Sequence, residues 1–196
     1  MRLAPRLIRR AGTIAAAVIA AVITTAAVIP AVALAAPGQA ASHATAAPGC
    51  AQAQLQTWLG LPPGVAAGTE YFELEISNIS ARTCTLFGFP GVSALSASGA
   101  QLGSAAERDG SYQARLVTLA RGATAHVDLG IVSVANFPAS ACHVAAASSL
   151  RVFAPGDFRS ETLQFPFTFG ACQNPGPKFL LVSPAIAGTG IPHFSS

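Results

Sequence analysis

Side chains able to act as acids, bases or metal ligands are sparse in this 196-residue chain, which has eight Asp and Glu residues and four His. Glu73 and Glu75 stand two apart in the run Phe72-Glu73-Leu74-Glu75-Ile76, where apolar and polar residues alternate. That period describes a strand with one dry face and one wet face, and it sets both carboxyls side by side on the wet one. A glycosidase needs two carboxyl groups roughly 5–10 Å apart across a cleft and in different environments. The pair therefore reads as a solvated strand face. His126 and Asp128 share a face in the same way and can touch one another or a surface metal, but polar alternation is the plainer reading.

Other constellations fail on residue type. Gly91-Val92-Ser93-Ala94-Leu95 lacks the closing glycine of a hydrolase elbow, which also needs a strand-to-helix turn. A blue-copper site needs two His, a thiolate and usually an axial Met, and the one methionine is Met1. His126, His143 and His193 have no ligand-like spacing. No catalytic residue, cofactor-binding residue or metal ligand is expected, and no cofactor.

Trp58, Tyr71 and Tyr112 could rim a small-molecule or glycan site, with the Gly103–Tyr112 loop beside it. For Trp58 alone, core or sheet-rim packing is the simpler role. Phe165, Phe167 and Phe169 alternate as a core stripe. Asn78-Ile79-Ser80 matches a glycosylation acceptor, although its turn chemistry accounts for the same residues.

The elements that would hold these residues are strands. Gln52 to Leu59 reads as the first, Gly60 to Gly68 with Pro62-Pro63-Gly64 as a turn, and Glu70 to Ser77 as the second. Cys84 to Phe87, Val92 to Ala97, Ala114 to Leu119, Ala123 to Val134, Leu150 to Phe153, Thr162 to Phe169 and Lys178 to Ser183 follow. Gly103 to Gly110 and Asn136 to Ala147 read as loop or irregular. About eight or nine short strands with no helical period after residue 36 point to an all-β fold, an antiparallel immunoglobulin-like β-sandwich. A closed barrel is the runner-up.

Cys50, Cys84, Cys142 and Cys172 form an even set, and four cysteines allow three pairings. Hairpin geometry separates them. A turn centred near residue 157 mirrors residue 142 onto residue 172. A turn centred near residue 64 mirrors Cys50 onto about residue 79, close to Cys84 once a bulge is allowed. The expected pairs are Cys50–Cys84 and Cys142–Cys172. Zinc is the rival use of the thiols, but there is no C-x-x-C and the spacings fit no zinc pattern.

The chain is 52% hydrophobic and only 10% charged, well below the roughly one quarter charged typical of soluble domains. Part of that bias lies at the start. Met1 to Thr13 carries Arg2, Arg6, Arg9 and Arg10, and Ile14 to Ala36 is uncharged and almost wholly Ala, Val and Ile. With the small residues at Ala33-Leu34-Ala35 this reads as a signal peptide over 1–36, leaving an extracytoplasmic product that is secreted or associated with the cell envelope. The apolar run is long enough to span a bilayer, so an uncleaved N-terminal anchor is the alternative, and that segment is the only membrane contact expected. Residues 37–49 read as a flexible spacer, 50–184 as the domain and 185–196 as a C-terminal tail.

The formal charge of +3 belongs to targeting, since removing the four arginines leaves seven basic against eight acidic residues, a net −1. Such a surface has no electrostatic footprint for nucleic acid. The expected partner is an envelope protein or a glycan.

Ala67-Gly68-Thr69, Tyr71, Asn78-Ile79-Ser80, Thr83-Cys84-Thr85-Leu86 and Gly88-Phe89-Pro90-Gly91-Val92 together resemble the DUF4232 family of exported actinobacterial proteins. Gln101-Leu102-Gly103, Leu119 through Ala125, Leu150-Arg151-Val152, Cys142 and Cys172 extend the match over nearly the whole domain. The resemblance implies an extracytoplasmic β-sandwich, often behind a signal peptide or lipoprotein anchor. This chain lacks a lipobox. The resemblance implies no activity and carries over no functional residues. The expectation is a disulfide-stabilised interaction or structural module, not an enzyme.

Overall fold

A computed structural model describes residues 46–190. The expected export segment, most of the spacer with His43, and the end of the tail with His193 lie outside the described residues. What is described is mostly strand. In chain order the strands are β1 (Leu55–Ala66), β2 (Thr69–Asn78), β3 (Cys84–Phe87), β4 (Gly91–Leu95), β5 (Gln101–Leu102) and β6 (Glu107–Arg108). There follow β7 (Leu116–Leu119), β8 (Thr124–Val132), β9 (Val144–Phe153), β10 (Ser160–Cys172), β11 (Leu180–Val182) and β12 (Ile186–Ala187). One short helix, α1 (Ala139–Cys142), precedes β9.

The first sheet runs β1-β2-β8-β11-β6, with β12 also hydrogen-bonded to β8. The second runs β10-β9-β4-β5, and β3 pairs with β7 in a small third ladder. Every ladder pair is antiparallel except β11 with β6. The protein is an all-β sandwich. Twelve strands replace the expected eight or nine because several two-residue strands, such as β6 inside the expected Gly103–Gly110 loop, are too short to leave a period.

The core follows from alternation. Phe72, Leu74 and Ile76 of β2 and Ala125, Val127, Leu129 and Ile131 of β8 are buried on the inner face of the first sheet. Val92, Ala94, Leu150, Val152, Phe165 and Phe169 are buried from the second. Phe72 meets Phe165 edge-on at 5.0 Å between ring centres, joining the two layers with a favoured aromatic geometry. Phe167 departs from the expected core stripe. The β9–β10 register breaks between Gln164 and Phe169, and Phe167 is 45% exposed while still edge-on to Phe165.

The first hairpin and the tail also differ from the expected pattern. The turn expected over Gly60–Gly68 is only two residues long, since Ala66 pairs with Thr69 around Ala67-Gly68. Strand β1 continues through Pro62-Pro63, where its register with β2 breaks between Gly60 and Gly64. Proline is tolerated there because β1 is an edge strand, with one side unpaired. At the other end, Ile186 and Ala187 are not tail but pair with His126 and Ala125 of β8.

Disulfides join Cys50 to Cys84 and Cys142 to Cys172, and all four cysteines are buried. The register of the first hairpin sets Leu55 opposite Asn78, which carries position 50 to within a residue of Cys84.

Candidate functional site

The outer face of the first sheet is where polar side chains converge. Strand β2 lies between β1 and β8, with Glu73 opposite Asp128 and Glu75 opposite His126. The same alternation that buries Leu74 and Val127 turns these four residues outward together, and directly opposed side chains have Cβ atoms about 4.5–5.5 Å apart. Like charges at such a position destabilise a sheet, so the Glu73–Asp128 opposition needs a compensating partner.

Ligand atoms of Glu73, His126 and Asp128 all lie within 4.8 Å of one another, and all three residues are half-buried. His126 Nδ1 lies 2.9 Å from the Gly188 carbonyl oxygen. A carbonyl can only accept, so Nδ1 carries a proton, and in the neutral imidazole the lone pair then lies on Nε2. The Tyr112 hydroxyl donates to Asp128 Oδ2 at 2.6 Å, and the backbone N–H of Asp128 donates to Ser183 Oγ at 2.9 Å. Gly190 N–H donates to Glu75 Oε1 at 2.9 Å, while no donor reaches Glu75 Oε2 or Glu73 Oε2, both buried.

Ionisation follows from this crowding. Burial, and then the Asp128 carboxylate beside it, pushes the Glu73 carboxyl up to about 7. Burial raises that of Glu75, against the opposing effect of the Gly190 amide. The hydrogen bond to Asp128 is the main cause that pushes the Tyr112 hydroxyl up to about 12.

Glu73 and Glu75 are therefore not a solvated pair. Glu75 is 0% exposed, because the backbone from Gly188 to Gly190 passes over this face after β12. The approach is so close that a side chain at Gly190 would collide with the Glu73 carboxylate. Nothing in the short, glycine-containing sequence after Pro184 signals that role. The neighbouring row is also tied down, with Trp58 Nε1 donating to Ser77 Oγ at 3.1 Å and Ser77 Oγ lying 2.8 Å from Thr124 Oγ1.

Of the expected rim residues Trp58, Tyr71 and Tyr112, only Tyr112 lines either of two open clefts. One, of about 420 Å³, lies between Tyr112–Val117 and Pro184–Ala187. The other, of about 450 Å³, is bounded by Val65, Gly68, Ile131–Val134 and Phe167–Gly170.

The chain matches the DUF4232 family, a domain of unknown function, over residues 50–180. The chain belongs to that family. The DUF4232 match takes in both disulfides, β2 and β8, and ends before β12 and the covering segment. No curated protein and no solved structure matches the chain.

Proposed function

We propose that this DUF4232 protein is exported and acts outside the cytoplasm as a disulfide-stabilised interaction or structural module of the cell envelope, without enzymatic turnover. The observation that carries the reading is the pair of disulfides, with no free cysteine among the described residues. Such bonds form and persist in oxidising compartments and are rare in reducing ones. A basic start followed by a long apolar run supports export. The burial of Glu75 and the backbone lying over it favour binding over catalysis, since a substrate has little approach to that carboxylate.

Fractionation of the producing cell tests the address: the protein should be recovered from envelope or medium with no titratable thiol. Recovery from cytosol with reduced cysteines defeats the reading. Incubation of the purified chain with envelope extract should then retain a specific partner, whereas hydrolytic turnover abolished by Glu73→Gln would replace the module with an enzyme.

A second reading, a small-molecule or glycan binder, is favoured by the cleft beside Tyr112, whose lining includes Arg115, Leu116 and Ile186. Its volume falls within the ~300–1,000 Å³ of ordinary ligand sites. Saturable binding of a glycan that is lost in Tyr112→Ala and Arg115→Ala would select it.

A further inference from the structure

We propose that Glu73, His126 and Asp128 form a binding site for a divalent cation of the zinc class, backed by the buried carboxylate of Glu75.

Four observations support it. The three ligand atoms already lie within 4.8 Å of one another. Bonds of about 2.0–2.2 Å in a tetrahedral shell set two ligands of one ion roughly 3.3–3.6 Å apart, so side-chain shifts of about 1.5 Å bring the three atoms onto one ion and leave a fourth position open. The Gly188 carbonyl holds the ring through Nδ1, so the nitrogen available to a metal is Nε2 of the neutral imidazole. Metal-bound histidines are commonly held in this way, with the second nitrogen donating to a carbonyl or carboxylate. Asp128 is fixed in the same manner by the Tyr112 hydroxyl.

The fourth observation is independent of the trio. Glu75 is fully buried, stands directly across the ladder from His126, and has one oxygen that no donor reaches. A buried acceptor without a partner is costly, and a buried carboxylate more so. Three carboxylates gather around one imidazole here, while the one ion pair among the described residues, Lys178 with Glu107, lies elsewhere. A doubly charged ion supplies the missing compensation. One imidazole nitrogen with carboxylate oxygens suits Zn²⁺, whereas Mg²⁺ and Ca²⁺ favour oxygen alone.

The test uses the full chain, purified with both disulfides oxidised, stripped of metal, and titrated by calorimetry and equilibrium dialysis with Zn²⁺, Mg²⁺ or Ca²⁺ alone. Expected are one Zn²⁺ per chain, weaker binding of Mg²⁺ and Ca²⁺ because those ions favour oxygen ligands alone, and a loss of roughly tenfold in Zn²⁺ affinity for Tyr112→Phe, which removes the partner that holds Asp128. Glu73→Gln and His126→Gln should each abolish the event, while Glu107→Gln leaves it unchanged. Should a variant misfold, the wild-type chain still decides: the ring ¹⁵N signal of His126 Nε2 must move to its metal-bound position during the Zn²⁺ titration. Absence of saturable uptake up to about 1 mM, where binding free energy is only ~4 kcal/mol, overturns the proposal. So does uptake that leaves the His126 ring unperturbed or survives the paired Glu73→Gln, His126→Gln substitution.

Discussion

The Asn78 side-chain amide donates to the Leu119 carbonyl at 2.9 Å, fastening the end of β2 to the end of β7 across 41 residues of chain. The same nitrogen also reaches the carbonyls of Arg82 at 2.8 Å and Ala120 at 3.2 Å, and Oδ1 accepts from both the N–H and the hydroxyl of Ser80. Asn78 is 0% exposed. Replacement by Ala should cost about 2–3 kcal/mol, the scale of buried partners left unpaired. Asn78→Asp should cost more, because it turns a carboxylate oxygen toward carbonyls. Urea unfolding midpoints of the two variants check both magnitude and order.

That burial bears on the acceptor motif Asn78-Ile79-Ser80. The folded chain offers no access to its amide nitrogen. Produced through a eukaryotic secretory route, correctly folded protein should carry an unmodified Asn78, and the mass of the peptide spanning it measures this. A glycan on native, fully oxidised protein would contradict the packing described.

Each disulfide closes a loop, over sequence separations of 34 and 30 residues, and in the chain-entropy treatment each stabilises by roughly 3–4 kcal/mol. Double Ser substitution of either pair should lower stability by about that amount. Losing both should leave little of the ~5–15 kcal/mol typical of a domain. Thermal unfolding with and without reductant supplies the comparison.

Asp157 links the start of the domain to the β9–β10 turn. Its Oδ2 accepts from the backbone N–H of Gln52, its Oδ1 from that of Arg159 at 2.9 Å, and the Gln52 side chain in turn accepts from Ala154 N–H at 2.9 Å. The Gln52 amide, followed by that of Arg159, holds the Asp157 carboxyl below its ordinary value of 3.8. A lowered folded-state pKa means that the carboxylate stabilises the fold above the unfolded value and loses that contribution as pH falls through the folded one. Between about pH 4 and pH 2, Asp157→Asn should therefore lose less stability than the parent chain, with the two curves parallel at neutral pH. Chemical unfolding across that range reads the difference.

Backbone conformation gives a pair of opposite expectations. Ala67 holds a left-handed φ of 47° in the two-residue turn between β1 and β2, where Asn or Gly is favoured. Ala67→Asn should stabilise by about 0.5–1 kcal/mol. Gly103, with φ of 61°, leaves no room: a Cβ would stand 2.8 Å from both the Cys172 carbonyl oxygen and Phe179 Cε1. Gly103→Ala should cost at least about 2 kcal/mol, from strain and displacement together. Urea midpoints of the two variants against the parent chain measure both signs.

Legibility in the sequence tracked the length of each pattern. Strands β2 and β8 alternate over enough residues that their inner faces could be read directly, and the cysteines could be paired once the β1–β2 and β9–β10 hairpins were drawn. Strand β1 misled because Pro62-Pro63 signals a break, while an unpaired strand margin can absorb it. The convergence of Glu73, Glu75, His126 and Asp128 was only half readable. Alternation places each pair outward, but which strand lies beside β2 is decided by tertiary pairing about 50 residues away along the chain. The burial of that face was not readable at all, since it depends on Gly188–Gly190, a stretch with no period to detect.

The interruption in β1 has an effect at the level of the population. A free β margin is a template on which a neighbouring molecule can lay its own backbone, the route by which sheets grow into fibrils. At Pro62-Pro63 the backbone has no N–H to give, and the ladder is out of step from Gly60 to Gly64. Continuous strand-on-strand growth should be interrupted there, and replacing both prolines should make the margin more prone to pair with a second molecule.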